Sequence, residues 1–97
     1  MMNTNHTYPI RNKNVFARQE QLETVIVIPD RGKAEVVNEL GGFIWSKITG
    51  ALSVEDIAQA VCSEYPVDED EARADAVQFL KSLEIKGAVW FASEPQR

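Results

Sequence analysis

Hydrophobic and polar positions along this chain change their period once, at about Asn38. Before it, "VFARQE" at 15 to 20 and "ETVIVI" at 23 to 28 are short runs dense in β-branched and aromatic residues, and they predict strands. The segment "PDRG" at 29 to 32 predicts a turn: Pro fixes φ, Asp bonds locally and Gly tolerates positive φ. A third strand, "KAEVV" at 33 to 37, leaves that turn. Three strands at hairpin spacing predict an antiparallel meander. Residues 1 to 13 are polar without a periodic pattern and predict a flexible N-terminal tail; residues 14 to 92 form the expected domain, and 93 to 97 a C-terminal tail.

After Asn38 the period is helical. Asn38 suits an N-cap, Glu39 sits where the helix dipole favours an anion, and Leu40, Phe43, Ile44 and Ile48 share one face. Gly50 stops this first helix. Ser53 caps a second, with Asp56 as a weaker form of the capping-box acid, and Val54, Ile57, Ala58, Val61, Cys62 and Tyr65 follow at unbroken helical spacing. Pro66 ends it. Asp68 caps a third helix, with Glu71 at the box position and a stripe of Ala72, Ala76, Phe79, Leu80 and Leu83; Lys86 and Gly87 supply the expected C-terminal cation and C′ glycine. The final "AVWFA" is a short strand or a packed tail. The pattern as a whole predicts an α+β domain, a three-stranded antiparallel sheet followed by a three-helix bundle.

Gly41 and Gly42 interrupt the first helix at a cost of about 1 kcal/mol each relative to alanine. Close packing on the sheet is the preferred explanation, with room for a ligand backbone as the alternative. Trp45 lies off the main stripe and is expected to cover the edge of the core.

Composition narrows the function classes. The 97 residues carry a net charge of -5, and the acids concentrate late: residues 1 to 34 hold five Lys/Arg against three Asp/Glu, residues 35 to 97 five against twelve. Such a surface repels phosphate backbones and anionic lipid and suits a protein or peptide partner. A single cysteine, Cys62, precludes an internal disulfide and fits a reducing compartment. The opening residues have no apolar run resembling a signal peptide, and "VIVI" is too short to span a membrane, so a cytoplasmic protein is expected.

Little else in the chain carries chemistry. Cys62 lies on the apolar stripe of the second helix, and His6 is 56 residues away, so no nucleophile or metal site is expected. The acids "DEDE" at 68 to 71 lack the alternation and glycine of a calcium loop and are explained by helix capping. No phosphate loop or catalytic carboxylate pair can be assembled, and neither a cofactor nor catalysis is expected.

The ordered set Asn38, Ile44, Trp45, Gly50, Val54, Ile57, Ala58, Asp75, Phe79, Leu80, Leu83 and Gly87, within "VNELGGFIWSKITGALSVEDIAQAV" and "DEDEARADAVQFLKSLEIKG", resembles the PqqD-like family. These small domains recognise precursor peptides of ribosomally made, post-translationally modified products. The resemblance covers about residues 14 to 90. Val37 stands where the family commonly has Leu, and Trp45 with "ITG" departs from the branch acting in pyrroloquinoline quinone synthesis.

The resemblance implies a winged-helix-like fold in which a leader peptide adds as a fourth strand beside the third, in a groove between that strand and the third helix. The implied partners are the leader of a precursor peptide and a peptide-modifying enzyme such as a radical SAM protein, with neither nucleic acid nor membrane. Expected peptide-binding residues are Ala34, Glu35, Val36 and Val37 on the strand and, from helical spacing, Asp75, Gln78, Phe79, Ser82 and Lys86. Phe79 borders both faces, as core residue or ligand anchor. The strand alone fits equally a peptide-binding edge and an ordinary guard against aggregation. Two alternatives are a DNA-binding winged helix and an assembly domain without a peptide ligand. Against the first, residues 68 to 86 hold six acids and three cations, the wrong sign for a phosphate-facing helix.

Overall fold

The structure, a computed structural model, describes residues 6–96; the first five positions of the expected N-terminal tail and Arg97 lie outside the described residues. Five strands and three helices follow in the order β1 (Tyr8–Arg11), β2 (Phe16–Glu20), β3 (Glu23–Ile28), β4 (Lys33–Val37), α1 (Glu39–Ser46), α2 (Val54–Glu64), α3 (Glu69–Ile85) and β5 (Val89–Ala92). The fold is mixed α+β and winged-helix-like: the antiparallel sheet β2-β3-β4 precedes three helices. "PDRG" forms a single 3-10 turn closed by Gly32 at φ 61°.

The sheet buries one face only. Thr24, Ile26 and Ile28 of β3 point inward and are buried, while Val25 and Val27 between them are partly exposed, the two-residue alternation of a half-covered strand. α1 packs against β3 and β4, and Ile26 and Ile28 join one buried core with Ile44 and Trp45 of α1, Val54, Ile57, Ala58 and Val61 of α2, and Ala72, Ala76, Leu80 and Leu83 of α3. Each fully buried Ile or Leu contributes about 1.5–3 kcal/mol of transfer free energy.

The caps form as their residue types require. Asn38 accepts from the Gly41 amide at 2.9 Å and Asp68 from the Glu71 amide at 2.8 Å. At Ser53 the capping box closes in both directions, at 3.0 and 2.9 Å, so Asp56 performs as a full box acid. Arg73 of α3 clasps Glu55 of α2 at 2.8 Å, and these hydrogen bonds hold the Glu55 carboxyl below the usual carboxylate range.

α1 ends at Ser46 and not at the expected Gly50: the Lys47 and Ile48 amides bond the Ile44 and Trp45 carbonyls at 3.0 and 3.1 Å, three residues back, and this tighter turn closes the helix. Two further expectations need correction. Residues 8–11, placed in a flexible tail, are β1, which pairs antiparallel with β5 from Tyr8↔Ala92 to Arg11↔Val89 and so makes "AVWFA" a strand. β1 is also tied to the helices: Thr7 accepts from the Val54 amide at 2.9 Å, and Asn12 bonds Ala88 and Gly87 at 2.8 and 2.7 Å. The second correction follows from the first. Trp45 is only 4% exposed, a core residue and not its edge, because Arg11 of β1 stacks over its ring at 4.3 Å. The Gln96 amide bonds the Gly50 carbonyl at 2.7 Å, which fixes part of the expected C-terminal tail.

Candidate functional site

α3 buries the stripe Ala72, Ala76, Leu80 and Leu83, so the residues one step round the helix face elsewhere. Asp75, Gln78, Phe79 and Ser82 line a cavity of about 390 Å³, whose remaining walls are Asn38, Leu40, Gly41 and Ile44 at the start of α1. Four of the nine expected binding residues are thus brought together. Leu40, Ile44 and Phe79 make the cavity apolar in the middle, and Asn38, Asp75, Gln78 and Ser82 supply its polar groups. Among the described residues no cation pairs with Asp75. Phe79 lines the cavity and also packs against the core.

Ala34, Glu35, Val36 and Val37 do not line this cavity; they belong to β4, which among the described residues pairs with β3 alone and leaves its other edge open. Val36 is 60% exposed and Ala34 is exposed with it, while Glu35 and Val37 turn to the opposite, half-buried face. Lys86 is also outside the cavity lining, but its Nζ lies 2.7 Å from Glu35 Oε1 and ties the end of α3 to the middle of β4. Strand edge, ion pair and cavity therefore border one another along the β4–α3 side of the molecule.

Gly41 explains how α1 reaches this position. A Cβ there would lie 2.9 Å from Val37 Cβ and 3.1 Å from Phe79 Cε1, so glycine is what lets the helix sit against β4 and α3. At Gly42 a Cβ would lie 2.5 Å from Thr24 Oγ1 on the other side. The preferred packing explanation holds at both positions, and Gly41 lines the cavity as well. Asn38, Leu40, Gly41 and Ile44 were not expected as site residues: their spacing assigns them to cap and core, and the unusual glycine was the one signal that pointed here.

Other chemistry is sparse. Among the described residues, no group of three or more His, Cys, Asp and Glu is placed to hold a metal ion. Burial pushes the Cys62 thiol up, with Glu69 and Asp68 acting in the same direction, which suppresses the thiolate. Among the described residues no helix is long and apolar enough to cross a membrane.

Residues 23–89 match the family model described as coenzyme PQQ synthesis protein D, PqqD. The chain belongs to the PqqD family. A PqqA binding protein of Acinetobacter baylyi is 32% identical to this PqqD-family chain over 81 residues, covering 84% of this chain and 81% of that protein. Two solved structures share the fold. TbiB1 in complex with the TbiA(beta) leader peptide is 26% identical, with a TM-score of 0.76 over 82% of this chain and 93% of that one. A lasso peptide synthetase B1 complexed with its leader peptide, 22% identical, superposes with a TM-score of 0.75 over 84% and 96% of the two chains and shows the fold alone.

Proposed function

We propose that this chain recognises the leader of a ribosomally made precursor peptide by adding it as a fourth strand beside β4, and presents it to a separate peptide-modifying enzyme. The carrying observation is the open edge of β4 next to the cavity under Asp75, Gln78, Phe79 and Ser82, in a member of the PqqD family. An edge strand offers unpaired N–H and C=O groups to any extended peptide, which gives attachment without much dependence on sequence. Selectivity then comes from alternate leader side chains that turn toward α3. One meets the apolar floor of Leu40, Ile44 and Phe79; others meet Asp75, Gln78, Ser82 and the Glu35–Lys86 pair.

The names of the relatives support this reading, since one is a PqqA binding protein and another was solved with a leader peptide. On this reading the chain contributes recognition and the separate enzyme contributes the chemistry. A radical SAM protein is one kind of enzyme to which it would deliver the peptide, in the cytoplasm. The test is calorimetric titration with leader peptides of precursor genes neighbouring its own. Five or so paired residues bury a small interface, so a Kd of micromolar order is expected. No heat and no competition by any such leader at millimolar concentration would overturn the proposal.

A further inference from the structure

α1 stands between two grooves. Its Leu40, Gly41 and Ile44 side lines the cavity beside α3; Gly42 and Ser46 line a cleft on the opposite side, along β2. That cleft has two adjoining parts of about 270 and 310 Å³, which share Gln19, Thr24, Gly42 and Ser46. β2 is the other outer strand of the sheet and among the described residues pairs with β3 alone, so the cleft runs beside a second open edge.

The two ends of the cleft differ in chemistry. Arg11 and Arg18 line one end. The Arg11 guanidinium lies over Trp45 and donates one Nη2 hydrogen bond to the Trp45 carbonyl, and among the described residues no carboxylate pairs with it. Arg18 contributes to the rim, but it stands opposite Val25 in the register, so its side chain turns to the outer face of the sheet beside Glu20, at 3.5 Å and with both side chains more than half exposed. The other end is lined by Leu22, Phe43 and Tyr65: Leu22 is 68% exposed, and the two rings meet edge-on at 5.5 Å. The acid Glu39 lies beside them, so a carboxylate is favoured only at the arginine end.

We infer that the β2 edge is a second strand-addition site, for an extended segment of a partner protein that carries a carboxylate toward Arg11 and an apolar side chain toward Leu22, Phe43 and Tyr65. The backbone ladder would attach along Phe16–Glu20, a length of about 17 Å. Charge selects the segment. On a chain of net charge -5, an acidic peptide is disfavoured over most of the surface and favoured at Arg11, whose charge no carboxylate among the described residues meets. Burial lowers the Arg11 pKa, which marks a cation short of solvent that a carboxylate would compensate. Because α1 separates the grooves, a leader at β4 and a partner segment at β2 fit at the same time. This site stands independently of the leader proposal.

The test uses the full chain, 15N-labelled, and the probe acetyl-Glu-Val-Thr-Val-Leu-amide, compared with the same peptide carrying Lys for Glu and with sodium acetate at matched carboxylate concentration. Saturable amide shifts at Phe16–Glu20, Gly42 and Ser46 are expected with the Glu probe, and binding weaker by about fivefold or more with the Lys probe. Arg11→Gln should remove that preference. Should that variant fail to fold without its cover on Trp45, Ser46→Glu, at an exposed position in the shared part of the cleft, should reverse it. Shifts confined to β4 and α3, equal binding of the Lys probe, a preference unchanged in Ser46→Glu, or the same shifts with acetate, meaning an adventitious ion only, would each overturn the inference.

Discussion

At Gly42 a missing Cβ decides how α1 meets the sheet. Alanine there gains about 1 kcal/mol of helix propensity but drives its Cβ to 2.5 Å from Thr24 Oγ1, on a side chain that is 5% exposed and cannot swing away. Overpacking of this kind costs about 1–3 kcal/mol, so Gly42→Ala should lower the denaturation midpoint. Thr24→Ala should recover most of the loss in the double variant, a coupling read from a double-mutant cycle; additive effects would show that the contact is not the cause. Ser53 is the other residue on which local structure turns. Its hydroxyl and the Asp56 carboxylate satisfy two amides at the start of α2. Ser53→Ala should therefore cost roughly 1 kcal/mol, measured by thermal and denaturant midpoints; an unmoved midpoint would contradict the capping argument.

The elements differ in how far sequence alone revealed them. β2, β3 and β4 were legible to within a residue because β-branched runs alternate with turn residues, and the starts of the three helices because caps and 3.6-residue periodicity coincide; the end of α1 was placed at Gly50, four residues beyond Ser46, because Ile48 continues the apolar spacing after the helix has ended. β1 was not. "YPIR" is short and contains a proline, and its partner β5 lies some 80 positions later, so no local signal announced the pairing. Trp45 was misjudged for the same reason, since its cover, Arg11, belongs to β1. In the groove, Asp75, Gln78, Phe79 and Ser82 followed from spacing on α3, whereas Leu40 and Ile44 looked like plain core.

Two outcomes follow for the elements. The α2–α3 clasp between Glu55 and Arg73 lowers the folded Glu55 pKa, so its contribution is present above the ordinary carboxylate range and is lost as pH falls through the depressed value. Stability curves between about pH 5 and pH 3 should fall less steeply for Glu55→Gln than for the parent; identical slopes would remove the clasp from the account. On β4, adjacent residues point their amides to opposite edges, one toward β3 and one outward. Of Glu35→Pro and Val36→Pro, one should lower the melting temperature by breaking the β3 ladder. The other should leave the fold intact and abolish leader binding. Leader binding undiminished in the intact variant would contradict strand addition.

Across the whole molecule, charge and edges divide the surface. The sheet exposes one open edge beside α3 and another beside Arg11, and α1 separates them. α3 carries exposed acids, Glu69, Asp70 and Glu71, at its N-terminus, where the helix dipole favours them and a DNA phosphate would not. That sign on the long helix of a winged-helix-like fold disfavours a duplex and agrees with the proposed peptide partner. The β4 edge with its cavity is therefore the place where the central claim stands or falls. The most direct measurement is amide chemical-shift mapping of the 15N-labelled chain during titration with a leader peptide. The account predicts saturable shifts clustered on Ala34 to Val37 and on Asp75, Gln78, Phe79, Ser82 and Lys86; shifts clustered on α2, with β4 silent, would contradict it.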